Sequence, residues 1–279
     1  MSLFDGLNIW SDLLEEDAPQ GDSTCNSLKI PQFERTAKIF AKEDIVLSGA
    51  NAIFETIPVE LNLQHKLFFK DGDKVVPGQC IAILEGVWKD ILLVERPLLN
   101  WLGHFSGIST LTHKFCEQVK HTSCKILDTR KTTPFFRELE KKAVFDGGGA
   151  NHRKNLTEAL MLKENHLSLY DFSIKKAVAD CLSSHPDKHL IVEASQMVHV
   201  ELILKTGAHR VMLDNFSNDE ISEALSIIKY HNSEIEVEAS GNMKLDRVKS
   251  VAELGVNFIS VGALTHSAPH ADLTLLMDN

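Results

Sequence analysis

HLIVEASQMVHVELILKTGAHRVMLDNF, residues 189–216, holds two short apolar runs, HLIVE and RVMLD, each closed by an acid. Glu193 ends the first run and Asp214 the second, 21 residues later. The rhythm continues: IEVEAS (235–240) places Glu238 24 residues beyond Asp214, and FISVG (258–262) places Gly262 another 24 on. Two similar runs lie upstream, CKILD (124–128) and ALMLK (159–163), and amphipathic stretches such as NDEISEALSIIKYH and LDRVKSVAELG fall between runs. Continuous apolar runs alternating with helices are what repeated βα units on a parallel sheet require, because such strands are buried on both faces. Six candidate strands fall short of an eight-stranded closed barrel. In barrels of this kind the polar residues at the C-terminal ends of the strands build the site. One such Asp alone could be a helix N-cap. Several strand ends in register argue for a shared mouth.

The first hundred residues differ. RTAKIFAKEDIVLSG and KVVPGQCIAILEG alternate apolar and polar residues, with turn signals at KDGDK and PGQ, which predicts a more antiparallel α/β layer. A helix is expected from about Ile91 through VERPLLNWLGHFSG, strained early by Pro97. No low-complexity linker follows, and the boundary is placed near Gly107. The chain is therefore read as α/β throughout, with an N-terminal domain over residues 1–107 and a domain of repeated βα units over 108–267. The tail, about 268–279, is free to return to the first domain.

The 279 residues carry a formal net charge of -10, and 43% are hydrophobic. That acidity disfavours nucleic acid, which needs a basic face. No apolar run approaches the ~20 residues that span a bilayer, and the start MSLFDGLNIWSDLLEED is acidic where a signal peptide is basic. The five cysteines show no C-x-x-C pair and no zinc spacing, as expected of reduced thiols in the cytoplasm.

Against this background DTRKTTPFFRELEKKAVFDGGGANHRKN (128–155) stands out, with seven of the 29 Lys and Arg plus His152. Arg130 and Lys131 leave the strand CKILD as neighbours, so they can offer two cations to different parts of a ligand. GGGANHR adds His152 and Arg153 behind three glycines, which suggests backbone brought near a ligand. Between the two ends, Arg137, Glu138, Glu140, Lys141 and Lys142 read as a solvated helix whose charges largely cancel. Lys163 closes ALML. Glu193 and Asp214 either hold Mg²⁺ or ribose hydroxyls, or neutralise these cations. ASGN and SVGALTHS offer small residues before helices, as a phosphate cradle would. Neither matches the P-loop or the dinucleotide fingerprint.

Taken in order, LLEEDAPQGDST, VERPLLNWLGHFSGIST, DTRKTTP, GGGANHR, LKENH, LDNF, EASGN and ISVGALTHS resemble the quinolinate phosphoribosyltransferases over nearly the whole chain. The resemblance implies a two-domain enzyme, an N-terminal α/β sandwich followed by an open, incomplete α/β barrel (TIM-like, fewer than eight strands). That enzyme joins quinolinate to phosphoribosyl pyrophosphate, releases pyrophosphate and CO₂, and gives nicotinate mononucleotide for NAD synthesis. It implies Mg²⁺ and a homodimer or higher homo-oligomer with shared active sites. By position, Arg130, His152, Arg153 and Lys163 would hold the quinolinate carboxylates, with Arg96 entering from the neighbouring subunit. Lys131 would sit at phosphoribosyl pyrophosphate, and Glu193 and Asp214 at the ribose and metal. Ser240, Gly241, Asn242, Ser260 and Gly262 would form the phosphate-binding turns. Three positions depart from the family's habit: Ile191 in place of an acid, Phe135 in place of Gly, and Asn242 in place of a common Gly. A related group, the phosphoribosyltransferase-like proteins found with molybdenum transport genes, is similar around LIVEAS and would take a different acceptor. A different-class alternative is an anion-binding module that kept the fold and lost catalysis.

Overall fold

The computed structural model describes residues 9–231 and 234–278. Residues 1–8 of the acidic N-terminal segment and Asn279 of the tail lie outside them. The chain divides into two compact units. The first comprises everything up to His113, Glu138–Gly148, and the chain from Ala268 on; the second comprises Lys114–Arg137 and Gly149–Ser267.

In the first unit, α1 (Ile9–Asp17) and α2 (Ser23–Ser27) precede β1 (Glu34–Ala41), β2 (Ile45–Val46), α3 (Ala50–Glu55), β3 (Gln64–Leu67), β4 (Lys74–Val75), β5 (Cys80–Val87) and α4 (Trp88–Val119). β1, β3 and β5 form an antiparallel sheet that β12 (Leu273–Met277) completes, in the order β12-β1-β5-β3. The alternation seen in RTAKIFA is realised literally: Ala37, Ile39 and Ala41 are buried, and the residues between them are partly exposed.

α4 begins three residues before Ile91 and runs unbroken through Gly107. The expected boundary at Gly107 thus lies within this helix, and the division into compact units falls six residues further on, at His113 and Lys114. Leu98, Leu102, Phe105 and Ile108 keep the helical period across that point and are all buried. Gly107 serves packing: a Cβ there would stand 2.0 Å from the Pro269 carbonyl oxygen, so only glycine admits the returning chain.

The expected solvated helix within 128–155 is also corrected. In α5 (Arg137–Asp146), Leu139, Glu140, Lys141, Ala143 and Val144 are buried. Glu140, fully buried, lies 3.0 Å from His104, and Lys142 pairs with Asp71 and Asp146 at 3.1 and 2.7 Å. Burial pulls the Lys142 ammonium down, but the two carboxylates outweigh it and its pKa stands above the usual lysine value. The charges of KDGDK and FRELEKK meet one another, which a local reading of either string cannot reveal.

The second unit holds β6 (Lys125–Leu127), β7 (Leu160–Leu162), α6 (Glu164–Ser168), α7 (Ile174–Ser184), β8 (Leu190–Ala194), α8 (Met197–Ile203), β9 (Arg210–Asp214), α9 (Asn218–His231), β10 (Glu236–Ser240), α10 (Leu245–Glu253), β11 (Phe258–Ser260) and α11 (Ala263–His266). All six strands are parallel, in the order β6-β11-β10-β9-β8-β7, so β6 and β7 are edges and the barrel stays open between them. Val192, Val211, Leu213, Val237, Ala239 and Ile259 are buried, which is the burial that the continuous apolar runs anticipate.

Candidate active site

Because the six strands run in parallel, their C-terminal ends share one rim. The rim surrounds a cavity of about 510 Å³ lined by Thr129, Arg130, Lys131, His152, Arg153, Met161, Lys163, Glu193, Met212, Asp214, Ser240 and Ser260. Nine of the residues singled out in the sequence are thus brought together from strands and loops up to 130 positions apart.

Local chemistry positions them. Asp128, fully buried after β6, accepts from Asn151 Nδ2 at 2.6 Å and from the His152 N–H at 2.9 Å, which fastens the NHR segment to the strand end. Ala150 donates to the Ile126 carbonyl at 2.8 Å, so this segment runs beside β6. The Lys131 N–H donates to Thr129 Oγ1 at 3.0 Å, turning the chain so that both Arg130 and Lys131 reach the cavity. Thr265 Oγ1 donates to the Lys131 carbonyl at 2.7 Å and holds that turn from behind.

Arg153 Nη1 donates to the Ala159 carbonyl at 2.9 Å. Burial first and the nearby Arg130 charge second hold the Arg153 pKa below the usual guanidinium range. Among the described residues neither Arg130, Lys131 nor Arg153 has a carboxylate within ion-pair range. Lys163 differs, because its ammonium meets the Glu193 carboxylate. Asp214 accepts from Asn215 Nδ2 at 2.8 Å. The mouth therefore carries three cations without a carboxylate partner, and it can hold a small polyanion.

Four expected residues fall outside the lining. Gly241 and Asn242 continue the chain from Ser240 with φ +88° and +48°. A Cβ at Gly241 would stand 2.2 Å from Asn215 Oδ1, so this glycine admits the LDNF turn. Gly262 caps α11 beside the Lys131 side chain. Arg96 is exposed on α4, within the first unit. Nor do the three glycines of GGGANHR line the cavity: Gly147 packs on α4, where a Cβ would stand 2.3 Å from the Ser109 carbonyl oxygen, and Gly148 ends α5 with φ +91°. The departures have distinct addresses. Ile191 shares the face of Glu193 one layer down, buried and in register with Met161 and Arg210. Phe135 is 94% exposed with φ +68°.

Sequence reasoning did not single out Thr129, Met161 or Met212. The two methionines sit two residues before Lys163 and Asp214, and the period of two points such pairs to one face. It also passed over a buried cluster beneath the rim. Glu238, fully buried in β10, lies 3.3 Å from His152 Nε2, accepts from the Ser260 hydroxyl, and accepts from Arg210 Nη1 at 3.0 Å. Burial alone would push its carboxyl up; the neighbouring His152 ring, the Ser260 hydroxyl and the Arg210 charge outweigh it and hold the group below the usual carboxylate range. Arg210 is fixed by Glu236 at 2.7 Å and lies over the Phe258 ring at 3.9 Å. A charge inside an otherwise apolar parallel strand was the available signal.

An open parallel barrel with a cationic, carboxylate-flanked mouth defines an α/β enzyme whose ligands are small polyanions. Residues 22–106 match the family model of the quinolinate phosphoribosyl transferase N-terminal domain, and residues 108–276 match that of the C-terminal domain. The chain belongs to the quinolinate phosphoribosyl transferase family. It is 34% identical to the probable nicotinate-nucleotide pyrophosphorylase [carboxylating] of Methanocaldococcus jannaschii, over 96% of both chains. Among solved structures it is similar to the nicotinate-nucleotide pyrophosphorylase of Francisella tularensis, with TM-score 0.89, 33% identity, and coverage of 97% of this chain and 96% of the other. For the enzyme of that name from Ehrlichia chaffeensis the values are 0.91, 30%, 100% and 99%.

Proposed function

We propose that the chain transfers the phosphoribosyl group of phosphoribosyl pyrophosphate to quinolinate, giving nicotinate mononucleotide, pyrophosphate and CO₂ for NAD biosynthesis. The observation that carries this is the single cavity at which Arg130, Lys131, Arg153 and Lys163 meet Glu193 and Asp214. Quinolinate is a dianion, and the planar guanidinium forks of Arg130 and Arg153 suit its carboxylates. Lys131, a compact point charge on the same turn, suits the departing pyrophosphate.

As the C1–pyrophosphate bond breaks, its electron pair leaves with pyrophosphate and positive charge builds on the ribose. A carboxylate at Glu193 or Asp214 stabilises that charge. The quinolinate ring nitrogen bonds to C1 and becomes a pyridinium. The adjacent carboxylate then leaves as CO₂, its bonding electrons stay on the ring carbon beside the cationic nitrogen, and a proton from water completes the product. No general base is required.

Glu193 and Asp214 also suit Mg²⁺, which takes only one or two protein carboxylates and fills its remaining positions with water and substrate phosphates. Among the described residues there is no group of three or more His, Cys, Asp or Glu that could cage a metal, so a shared site of this kind is what the donor set allows. When bound there, the ion supplies charge neutralisation for the leaving pyrophosphate.

We further infer a homodimer, or a higher homo-oligomer, in which Arg96 serves the neighbouring subunit's cavity, and a cytoplasmic setting. No helix among the described residues is long and apolar enough to cross a membrane. All five cysteines are free, and burial pushes the Cys116 and Cys124 thiols up to about 11 and about 12.

The deciding assay supplies purified protein with quinolinate, phosphoribosyl pyrophosphate and Mg²⁺, and follows nicotinate mononucleotide and CO₂. Turnover is expected with quinolinate and not with nicotinate, which lacks the second carboxylate. Equal turnover of nicotinate, or none of either, overturns the assignment.

A further inference from the structure

Glu238 touches three functional neighbours yet, being fully buried, touches no substrate. Its Oε2 is committed to Arg210 and its Oε1 faces Ser260 and His152. On the other side of the imidazole, His152 Nδ1 accepts the Arg153 backbone N–H at 2.7 Å. A ring nitrogen that accepts carries no proton, so the neutral ring places its proton on Nε2, toward Glu238. The next residue in the chain supplies a guanidinium to the cavity.

We propose that Glu238 is a positioning residue for the reaction: from beneath the rim it fixes the Nε2-protonated tautomer of His152, which anchors the Arg153 backbone and so aims its side chain at the substrate. The proposal rests on the assignment of this cavity to quinolinate. It gives His152 a role through Arg153, in contrast to the expected direct donation to ligand. It also commits the Ser260 hydroxyl proton to Glu238, leaving the Ser260 turn to meet phosphate through backbone N–H groups.

Glu238→Gln isolates the effect, because an amide has one accepting and one donating end. Arg210, always charged, stacked on Phe258 and held by Glu236, takes the carbonyl oxygen. The amide NH₂ then faces His152 Nε2, and the imidazole proton must move to Nδ1, which breaks the bond to the Arg153 N–H.

The test is a long-range ¹H–¹⁵N spectrum of the histidine-labelled full chain, with His152 assigned by the signals absent from His152→Gln. Wild type is expected to show a neutral His152 ring protonated at Nε2; a ring protonated at Nδ1 overturns the proposal. Glu238→Gln is expected to invert the tautomer. It should also raise the KM for quinolinate about tenfold, the size of one lost hydrogen bond, with the KM for phosphoribosyl pyrophosphate within about twofold of wild type. An unchanged quinolinate KM in folded Glu238→Gln overturns it too. Should that variant fail to fold, the wild-type spectrum decides. Should wild type show no turnover, the assignment of function falls, while the tautomers of the two proteins still judge Glu238.

Discussion

Arg130 stands near Arg153 with no carboxylate to balance either among the described residues, and that imbalance is what a dianion relieves. Arg130→Ala should therefore weaken quinolinate binding by ~1.5–3 kcal/mol, roughly 10–150-fold, as measured by calorimetric titration. Binding that survives unchanged would remove Arg130 from the site. Phe135 has the opposite character: its left-handed backbone costs ~1–2 kcal/mol in a residue with a side chain, and its exposed ring recovers little by burial. Phe135→Gly should accordingly raise unfolding stability by about 0.5–1 kcal/mol, part of the relief being lost to the looser unfolded chain. A lower urea midpoint for the variant would show that the ring earns its place through a contact. At this scale the cations and acids of the mouth were legible, because Lys163, Glu193 and Asp214 close apolar runs, Arg130 and Lys131 leave one, and Arg153 follows a run of glycines. Glu238 was not, since its partners His152, Arg210 and Ser260 lie 22 to 86 positions away in sequence and only strand pairing joins them.

Strands β6 to β11 coincide with the six apolar runs, because burial on both faces leaves a signal within one run. α5 escaped, since its polar residues find partners on KDGDK and α4, and no periodicity within FRELEKK reports a neighbour. The glycines that follow it were legible as glycines but not as packing sites, for the same reason. Gly147→Ala places a methyl against the Ser109 carbonyl and the Thr112 side chain, at 2.3 and 2.7 Å before relaxation. The expected loss is ~1–3 kcal/mol, the usual size of overpacking, read as a lower denaturation midpoint with the slope unchanged. A midpoint equal to wild type would mean that α4 and α5 can part without cost.

For the molecule as a whole, the proposed sharing of sites gives a quantitative expectation. Equal amounts of Arg96→Ala and Arg130→Ala subunits, mixed and allowed to re-associate at random, form mixed dimers in which one of the two sites is intact, so about a quarter of wild-type activity should return. A mixture as inactive as its components would place Arg96 outside the site. The two-unit plan itself was only partly legible: one crossing was expected near Gly107 with a possible return of the tail, whereas the chain changes unit inside a continuous helix and visits the first unit three times. The sheet of the first unit shows what this demands during synthesis. β1 is made early, but Ala37, Ile39 and Ala41 pair with Met277, Leu275 and Leu273, which leave the ribosome last among the described strands. Until then one edge of β1 has open backbone donors and acceptors, the arrangement that invites pairing with another nascent chain. A chain ended after Ser267 keeps every residue of the cavity lining and all six barrel strands, yet should aggregate on expression where the full chain does not; equal soluble yield would show that this edge is protected by other means. Among the described strands, the one made last thus closes the open edge of the one made first.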